Sequence, residues 1–151
     1  LLEKRLMLFF TGFSRLSFKI QEKTRNRIGS RIETLLEIKR LVDEAERILT
    51  DDKTNLDDFG RLLDYGWRLK REINQEISTD EVDILYERAK KAGALGGKLL
   101  GAGGGGFLLL YVTPERREEV RQALAGLLHV PFQFENSGTE MIYYAPDYDT
   151  G

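Results

Sequence analysis

The residues of this chain best suited to chemistry form a glycine-rich run, which reads Gly-Ala-Gly-Gly-Gly-Gly at 101–106. Backbone without a Cβ atom reaches φ/ψ values closed to other residues and lets another molecule approach closely, but fixing it costs extra entropy. Its successive N–H groups can form a concave anion-binding site. A tight helix-to-strand turn, which needs glycine only for packing, is the alternative. Because four consecutive glycines exceed what a turn requires, we expect phosphate or substrate binding by Gly101, Ala102, Gly103, Gly104, Gly105 and Gly106.

The spacing of Gly101, Gly103 and Gly106 matches the letters of the dinucleotide fingerprint G-x-G-x-x-G. That fingerprint requires a strand before the glycines and a helix after them, so that the helix N-terminus faces the pyrophosphate. Here the order is reversed, since residues 81–92 have helical periodicity and residues 107–112 form an apolar run typical of a buried strand. No acidic residue ends a second strand about 20 residues later, and no Gly-Lys-Ser/Thr follows the loop. We therefore exclude a Rossmann-type site and a Walker A loop.

Five side chains outside the glycine run are further candidates for binding a phosphorylated substrate. Lys98 precedes the loop, where its ammonium group can hold a phosphate as a point charge or remain solvated. Trp67 and Lys70 are three residues apart on a predicted helix and share a face, which suits a sugar ring carrying a phosphate, although such a tryptophan is also typical of a core. Arg15 follows a predicted strand end and can bind a phosphate or form a surface ion pair. Ser14 can contact the ligand or cap a helix.

Composition narrows the classes of site and partner. The chain has 151 residues and a net charge of −2, so no basic surface indicates nucleic acid. It contains no cysteine and a single histidine, His129, so we assign no disulfide, no cysteine nucleophile and no metal ligands. No segment approaches the roughly 20 apolar residues of a membrane span. We therefore expect neither a nucleic-acid nor a membrane partner. We expect a cytoplasmic location, which the lack of cysteine permits.

Hydrophobic periodicity and capping signals predict the elements that position these residues. The first half of the chain is predicted to contain a strand at 5–11, a helical segment to about 49 that is interrupted near 29–30, and a helix at 56–73. A further helix runs from a capping box at Ser78 and Glu81 to Gly93. A strand at 107–112, a helix at 113–126 and strands at 131–135 and 140–144 follow. This order predicts an α+β fold, a two-layer sandwich whose four-stranded, mainly antiparallel sheet carries the helices on one face. We expect one domain over residues 1–145 and a polar tail at 146–151.

A helix, then the glycine-rich run, then a strand is an arrangement that resembles the third sequence motif of the GHMP kinases. The segment Ile-Ser-Thr-Asp-Glu-Val-Asp-Ile-Leu at 77–85 resembles the family segment that opens the same helix, with Asp80 where proline is common. The runs Gly-Trp-Arg-Leu-Lys at 66–70 and Phe-Thr-Gly-Phe-Ser-Arg at 10–15 most resemble the branch that phosphorylates heptose 7-phosphate. The resemblance covers nearly all of the chain but only the C-terminal part of the family.

The resemblance implies the C-terminal lobe of an ATP- and Mg²⁺-dependent kinase that acts on a sugar or a sugar phosphate similar to heptose 7-phosphate. This lobe would contribute the glycine-rich loop and part of the substrate pocket, while ATP and Mg²⁺ would bind mainly to an N-terminal lobe that this sequence lacks. No catalytic residue is therefore assigned, and the chain alone is expected to be inactive. The expected partners are the substrate, the N-terminal lobe and a second copy in a homodimer. The alternative function is a noncatalytic binding or dimerisation module.

Overall fold

The computed structural model describes residues 1–12, 28–101 and 105–141. The strands in these ranges are β1 (Leu6–Phe10), β2 (Ala94–Leu99), β3 (Phe107–Val112) and β4 (Leu128–Val130). The α-helices in the same ranges are α1 (Ile32–Thr50), α2 (Asp57–Ile73), α3 (Asp80–Lys91) and α4 (Arg117–Ala123). Short 3-10 turns precede β1, α1, α3 and α4. None of the helices in the described part of the chain is long and apolar enough to cross a membrane.

The strands form one sheet in the order β2–β3–β1–β4, and every neighbouring pair is antiparallel. One of the two interior strands is β1, in which Leu8 lies opposite Leu109 of β3 on one side and Val130 of β4 on the other. An edge strand, β2, pairs with β3. The antiparallel four-stranded sheet with its helices confirms the predicted α+β fold class.

The core lies between the sheet and the helices packed on it. Met7 and Phe9 alternate along β1 and are each 1% exposed. In α3, Val82, Tyr86 and Ala89 follow the i, i+4, i+7 spacing of one helix face and join the same core. The core cluster also includes residues of α2, β2, β3 and α4 and the residue that follows α4, namely Trp67, Leu99, Leu108, Leu110, Val112, Val120 and Leu124. Burial of these side chains holds the ends of β2 and β3, between which the glycine-rich loop lies.

The two ends of α3 show which local signals determine its bounds. Thr79 is the N-cap, because its Oγ1 accepts a hydrogen bond from the N–H of Val82 at 3.2 Å. Ser78, the residue predicted as cap, donates instead to Asp83 at 2.5 Å, so the predicted cap was wrong by one residue. At the other end Gly93 has a φ of +112°, the left-handed region that commonly ends a helix, as predicted.

Residues 94–99, to which no strand was assigned from the sequence, form β2. Glycine is depleted in strands, so the run Gly96–Gly97 favoured an irregular segment in the sequence. Both glycines are nevertheless buried within the strand. A second strand therefore stands between α3 and the glycine-rich loop.

The end of the chain also differs from its prediction. The segment 131–135, predicted as a strand, has no regular secondary structure. Among the described residues β4 is the last strand, and Pro131 follows it without an N–H to donate. The helix predicted to end at residue 126 ends at Ala123. The predicted strand at 140–144 lies mostly outside the described residues, and the predicted tail at 146–151 lies wholly outside them.

A pair of glycines lets α2 lie directly on β2. A Cβ atom at Gly96 would stand 1.9 Å from the carbonyl oxygen of Gly60 and 2.7 Å from the backbone nitrogen of Asp64. A Cβ atom at Gly60 would in turn stand 2.6 Å from Cδ1 of Tyr111. These distances are well below van der Waals contact, so glycine is required for this approach. The approach brings the C-terminal half of α2 next to the end of β2, where the glycine-rich loop begins.

Candidate functional site

The glycine-rich loop is the connection of the β2–β3 hairpin. Its base is closed by a hydrogen bond from the N–H of Leu100 to the carbonyl oxygen of Phe107 at 2.8 Å. The φ angles of Gly101, Gly105 and Gly106 are +84°, +153° and +109°, which side chains rarely adopt. The loop therefore connects two strands, and not a helix and a strand as expected from the sequence. The remaining predicted loop residues lie outside the described part of the chain: Ala102, Gly103 and Gly104.

Thr11, directly after β1, fixes the far end of the loop to the centre of the sheet. Its N–H donates to the carbonyl oxygen of Gly106 at 2.8 Å. Its Oγ1 lies 3.0 Å from the same oxygen and 3.1 Å from the Gly106 nitrogen, within hydrogen-bonding distance of both. The Thr11 side chain is buried. A ligand at this end of the loop therefore meets backbone that is already held in one conformation.

Two of the predicted site residues, Ser14 and Arg15, lie outside the described residues. The chain leaves β1 through Gly12, whose φ is +75°. Since Thr11 is bonded to Gly106, this exit lies beside the glycine-rich loop. The phosphate contact predicted for Arg15 and the cap or ligand role predicted for Ser14 stay predictions.

Two lysines from different elements meet beside the start of the loop, and we call Lys70 and Lys98 the lysine pair. Lys70, near the end of α2, donates to the carbonyl oxygen of Gly101 at 3.5 Å, and Lys98 is in β2. Burial lowers the pKa of Lys70, and the positive charge of Lys98 lowers it further. Neither ammonium group has a carboxylate within 4.0 Å among the described residues. Such a pair of cations is suited to bind an anion such as phosphate.

A pocket with a volume of about 340 Å³ lies between the two long helices, and we call it the α1–α2 pocket. Both members of the lysine pair line it. Its other lining residues are apolar: Ile38, Leu41, Val42, Ala45, Phe59, Leu62, Leu63, Gly66 and Trp67. A volume in this range, mostly apolar walls and a few polar groups are typical of small-molecule sites.

Trp67 belongs both to the wall of this pocket and to the core. Its side chain is 1% exposed, and its ring centroid lies 6.4 Å from that of Tyr86. The buried indole N–H has no hydrogen-bond partner among the described residues. Trp67 and Lys70 line the same pocket, as expected for residues three apart on one helix. The contact of Trp67 with a sugar ring stays a prediction.

A buried carboxylate in α2, Asp64, was not predicted from the sequence. It accepts a hydrogen bond from Oη of Tyr86 at 2.7 Å and forms ion pairs with Lys90, at 3.5 Å, and with Arg68. Burial raises the pKa of Asp64, but its two hydrogen bonds and the charge of Lys90 outweigh that effect and hold the pKa below its ordinary value. Lys90 also donates to the carbonyl oxygen of Leu95 at 2.7 Å. This network ties α2 to α3 and β2, the elements that position the lysine pair.

The described residues contain no group of three or more His, Cys, Asp or Glu side chains that could hold a metal ion. The single histidine, His129, lies opposite Phe9 in the sheet, and the two ring centroids are 5.1 Å apart. Burial lowers the pKa of His129, and the charges of Arg117 and Arg121 lower it further. His129 is thus a residue of β4 that packs on β1.

Comparisons with known proteins identify the family. The family described as "GHMP kinases C terminal" matches residues 41–129. The chain is 33% identical over 126 residues to D-glycero-alpha-D-manno-heptose 7-phosphate kinase of Campylobacter jejuni, covering 82% of this chain and 36% of that protein. It is 36% identical over 129 residues to the bifunctional fucokinase/GDP-fucose pyrophosphorylase of Arabidopsis thaliana, covering 82% and 12%. The crystal structure of Methanococcus jannaschii mevalonate kinase matches with a TM-score of 0.68 and 27% identity, over 83% of this chain and 37% of that one.

The matched residues 41–129 include the lysine pair and the whole glycine-rich loop, but neither Ser14 nor Arg15. The chain spans about a third of the length of the heptose 7-phosphate kinase and of the mevalonate kinase, and a smaller part of the bifunctional enzyme. The resemblance expected from the glycine-rich run is therefore confirmed. The chain belongs to the GHMP kinase family, of which it contains the C-terminal domain.

Proposed function

We propose that this chain is the C-terminal part of an ATP-dependent kinase that phosphorylates a sugar or a sugar phosphate, with heptose 7-phosphate as the first candidate acceptor. The observation that carries the proposal is the lysine pair beside the start of the glycine-rich loop, with Lys70 bonded to the carbonyl oxygen of Gly101. Family membership supports kinase activity. The 33% identity to heptose 7-phosphate kinase supports an acceptor that already carries a phosphate group.

In this proposal the chain binds and orients the phosphate group of the acceptor. Two ammonium groups beside one phosphate form charge-assisted hydrogen bonds, which are about twice as strong as neutral ones. Backbone N–H groups of the glycine-rich loop would add further donors, and Thr11 anchors Gly106 at the end of the loop. Phosphoryl-transfer enzymes act largely by positioning and by stabilising charge. The chain contributes the positioning of the acceptor, and we assign it no catalytic residue.

The proposed reaction uses ATP as the phosphoryl donor and Mg²⁺ as the counterion of the ATP phosphates. When bound, ATP supplies the phosphoryl group and Mg²⁺ neutralises charge on its phosphates. The described residues have no carboxylate cluster that fits a metal ion. We propose that both bind mainly to an N-terminal lobe that packs against this domain, and we derive no step through them. A cytoplasmic location belongs to the same proposal.

Replacement of either member of the lysine pair by alanine is expected to raise the KM for heptose 7-phosphate about 10- to 100-fold and to change kcat little. Each change removes a charge-assisted hydrogen bond to phosphate, which is worth roughly 1.5–3 kcal/mol. The measurement is steady-state kinetics of Lys70→Ala and Lys98→Ala in the protein that carries both lobes. The assay uses heptose 7-phosphate and, separately, the same sugar without its phosphate.

The control is Lys39→Ala, which removes an exposed lysine of α1 and should leave the KM within about twofold. The effect of the lysine pair should vanish with the unphosphorylated sugar, since no phosphate remains to be bound. An unchanged KM, or equal losses with both sugars, contradicts the binding of the acceptor phosphate by these lysines.

A second candidate, a noncatalytic module that associates with a second copy, is favoured by the surface of α1. Four apolar side chains of this helix are between 46% and 63% exposed: Ile32, Leu36, Val42 and Leu49. Large apolar side chains exposed along one helix can contact another protein. A concentration-dependent dimer in sedimentation velocity, together with no phosphoryl transfer by the two-lobe protein, supports this candidate. A monomer at all concentrations contradicts it.

A further inference from the structure

The α1–α2 pocket differs in character from a sugar site. Apart from the lysine pair its walls are made of aliphatic and aromatic side chains, such as Leu41, Leu62 and Phe59. A buried hydroxyl group without a hydrogen-bond partner costs about 1–3 kcal/mol, and a sugar would bring several of them. An apolar group placed there gains about 0.8 kcal/mol for each buried methylene. The walls therefore favour a hydrocarbon body over a sugar ring.

The lysine pair gives the same pocket a charged side. Lys70 and Lys98 both line the pocket, and neither has a carboxylate partner in the described ranges. Burial and mutual repulsion disfavour the charge of Lys70, so an anion between the two ammonium groups would relieve both effects. Charge complementarity thus selects an anionic head group next to the apolar walls.

We infer that the α1–α2 pocket binds an amphipathic organic anion, a phosphate ester or carboxylate with a hydrocarbon body, whose head group lies between Lys70 and Lys98. The inference rests on the proposed function in one respect, because the acceptor phosphate is held by the same lysine pair. The amphipathic anion and the phosphorylated acceptor therefore exclude one another, and such a compound inhibits the kinase competitively against its acceptor. Such inhibition gives the α1–α2 pocket a regulatory role, and the sugar body of the acceptor does not occupy this pocket.

The test is a titration of the chain with octyl phosphate, kept monomeric, followed by the fluorescence of Trp67. This residue is the only tryptophan in the chain and lines the pocket, so its emission reports occupancy directly. Inorganic phosphate provides the head group alone and octanol the hydrocarbon body alone. Octyl phosphate should bind at least about tenfold more tightly than either. Equal affinity for octyl phosphate and either half would overturn the inference.

Two variants fill the pocket from opposite sides and leave both lysines in the sequence. Ala45→Phe adds a ring from α1. Gly66→Leu adds a side chain from α2, where a Cβ atom would stand 3.3 Å from Cδ1 of Leu41. Each variant that retains the wild-type circular dichroism spectrum should bind octyl phosphate about tenfold or more weakly than the wild-type chain does. Its affinity for inorganic phosphate should be unchanged. A folded variant that keeps full affinity for octyl phosphate contradicts the pocket assignment.

The outcomes separate this inference from the proposed function. If octyl phosphate binds no better than inorganic phosphate while the two-lobe protein phosphorylates heptose 7-phosphate, the pocket inference is wrong and the kinase proposal stands. If octyl phosphate binds and moves the emission of Trp67 while no sugar is phosphorylated, the kinase proposal is wrong and the pocket inference stands.

Discussion

The substitution Gly96→Ala is expected to lower the free energy of unfolding by about 3 kcal/mol, the upper range for overpacking a core. The new Cβ atom would stand 1.9 Å from the carbonyl oxygen of Gly60 and 2.7 Å from the backbone nitrogen of Asp64. Both are backbone atoms of a helix and cannot turn away as a flexible side chain can. The helix α2 must therefore move off β2, which also separates Lys70 from Lys98.

Urea unfolding of the variant, followed by circular dichroism, measures this loss. The matched control is Gly126→Ala, because a Cβ atom at Gly126 meets no atom within 4 Å and the residue lacks a positive φ angle. This control should change the free energy of unfolding by no more than about 0.5 kcal/mol. A Gly96→Ala variant as stable as the control contradicts the direct packing of α2 on β2.

The substitution Asp64→Ala is expected to lower the free energy of unfolding by about 2–4 kcal/mol at neutral pH. It removes the acceptor of the buried Tyr86 hydroxyl group and the partner of the half-buried Lys90. Leaving buried polar groups without partners costs more than the net contribution of their bonds. The matched control is Asp58→Ala, which breaks an exposed ion pair with Arg61 and should lower the free energy by no more than about 1 kcal/mol.

The stabilisation that Asp64 provides is expected to depend on pH. The pKa of Asp64 is lower in the folded than in the unfolded chain, so this carboxylate stabilises the fold fully above its unfolded pKa. The stabilisation is lost as the pH falls through its folded pKa. The difference in the free energy of unfolding between the wild-type chain and Asp64→Ala should be constant above about pH 5 and should shrink below about pH 4. Urea titrations from pH 3 to pH 7 measure it. A difference that grows as the pH falls contradicts the direction of the shift.

The fold class could be predicted from the sequence, whereas the strand β2 could not. The reason is that β2 depends on contacts between residues that are far apart in the sequence. The elements α3 and β3 have strong local signals, an apolar helix face ended by Gly93 and the apolar run 107–112. The strand β2 contains Gly96 and Gly97, which local propensity assigns to a loop. Gly96 is required by the contact with Gly60, a residue distant in sequence. Local patterns do not contain that information.

Single residues of the candidate site were marked from the sequence, but their positions relative to one another were not predicted. Helical spacing placed Trp67 and Lys70 on one face, and proximity to the glycines marked Lys98. That Lys70 also reaches Gly101 depends on how α2 lies on β2, which no local pattern shows. Asp64 was overlooked because acidic residues in helices are usually exposed. Its position three residues before Trp67, on the buried side of the helix, was the available signal.

Phosphoryl transfer from ATP to heptose 7-phosphate by the two-lobe protein, followed by ³¹P nuclear magnetic resonance, is the decisive test of the proposed function. The wild-type protein is expected to form a sugar carrying a second phosphate group. With acceptor well below its KM, the rate should fall at least about 100-fold in the Lys70→Ala, Lys98→Ala double variant, as expected from the loss of two charge-assisted bonds. A folded wild-type protein that transfers no phosphoryl group, or a double variant as fast as Lys39→Ala, would contradict it.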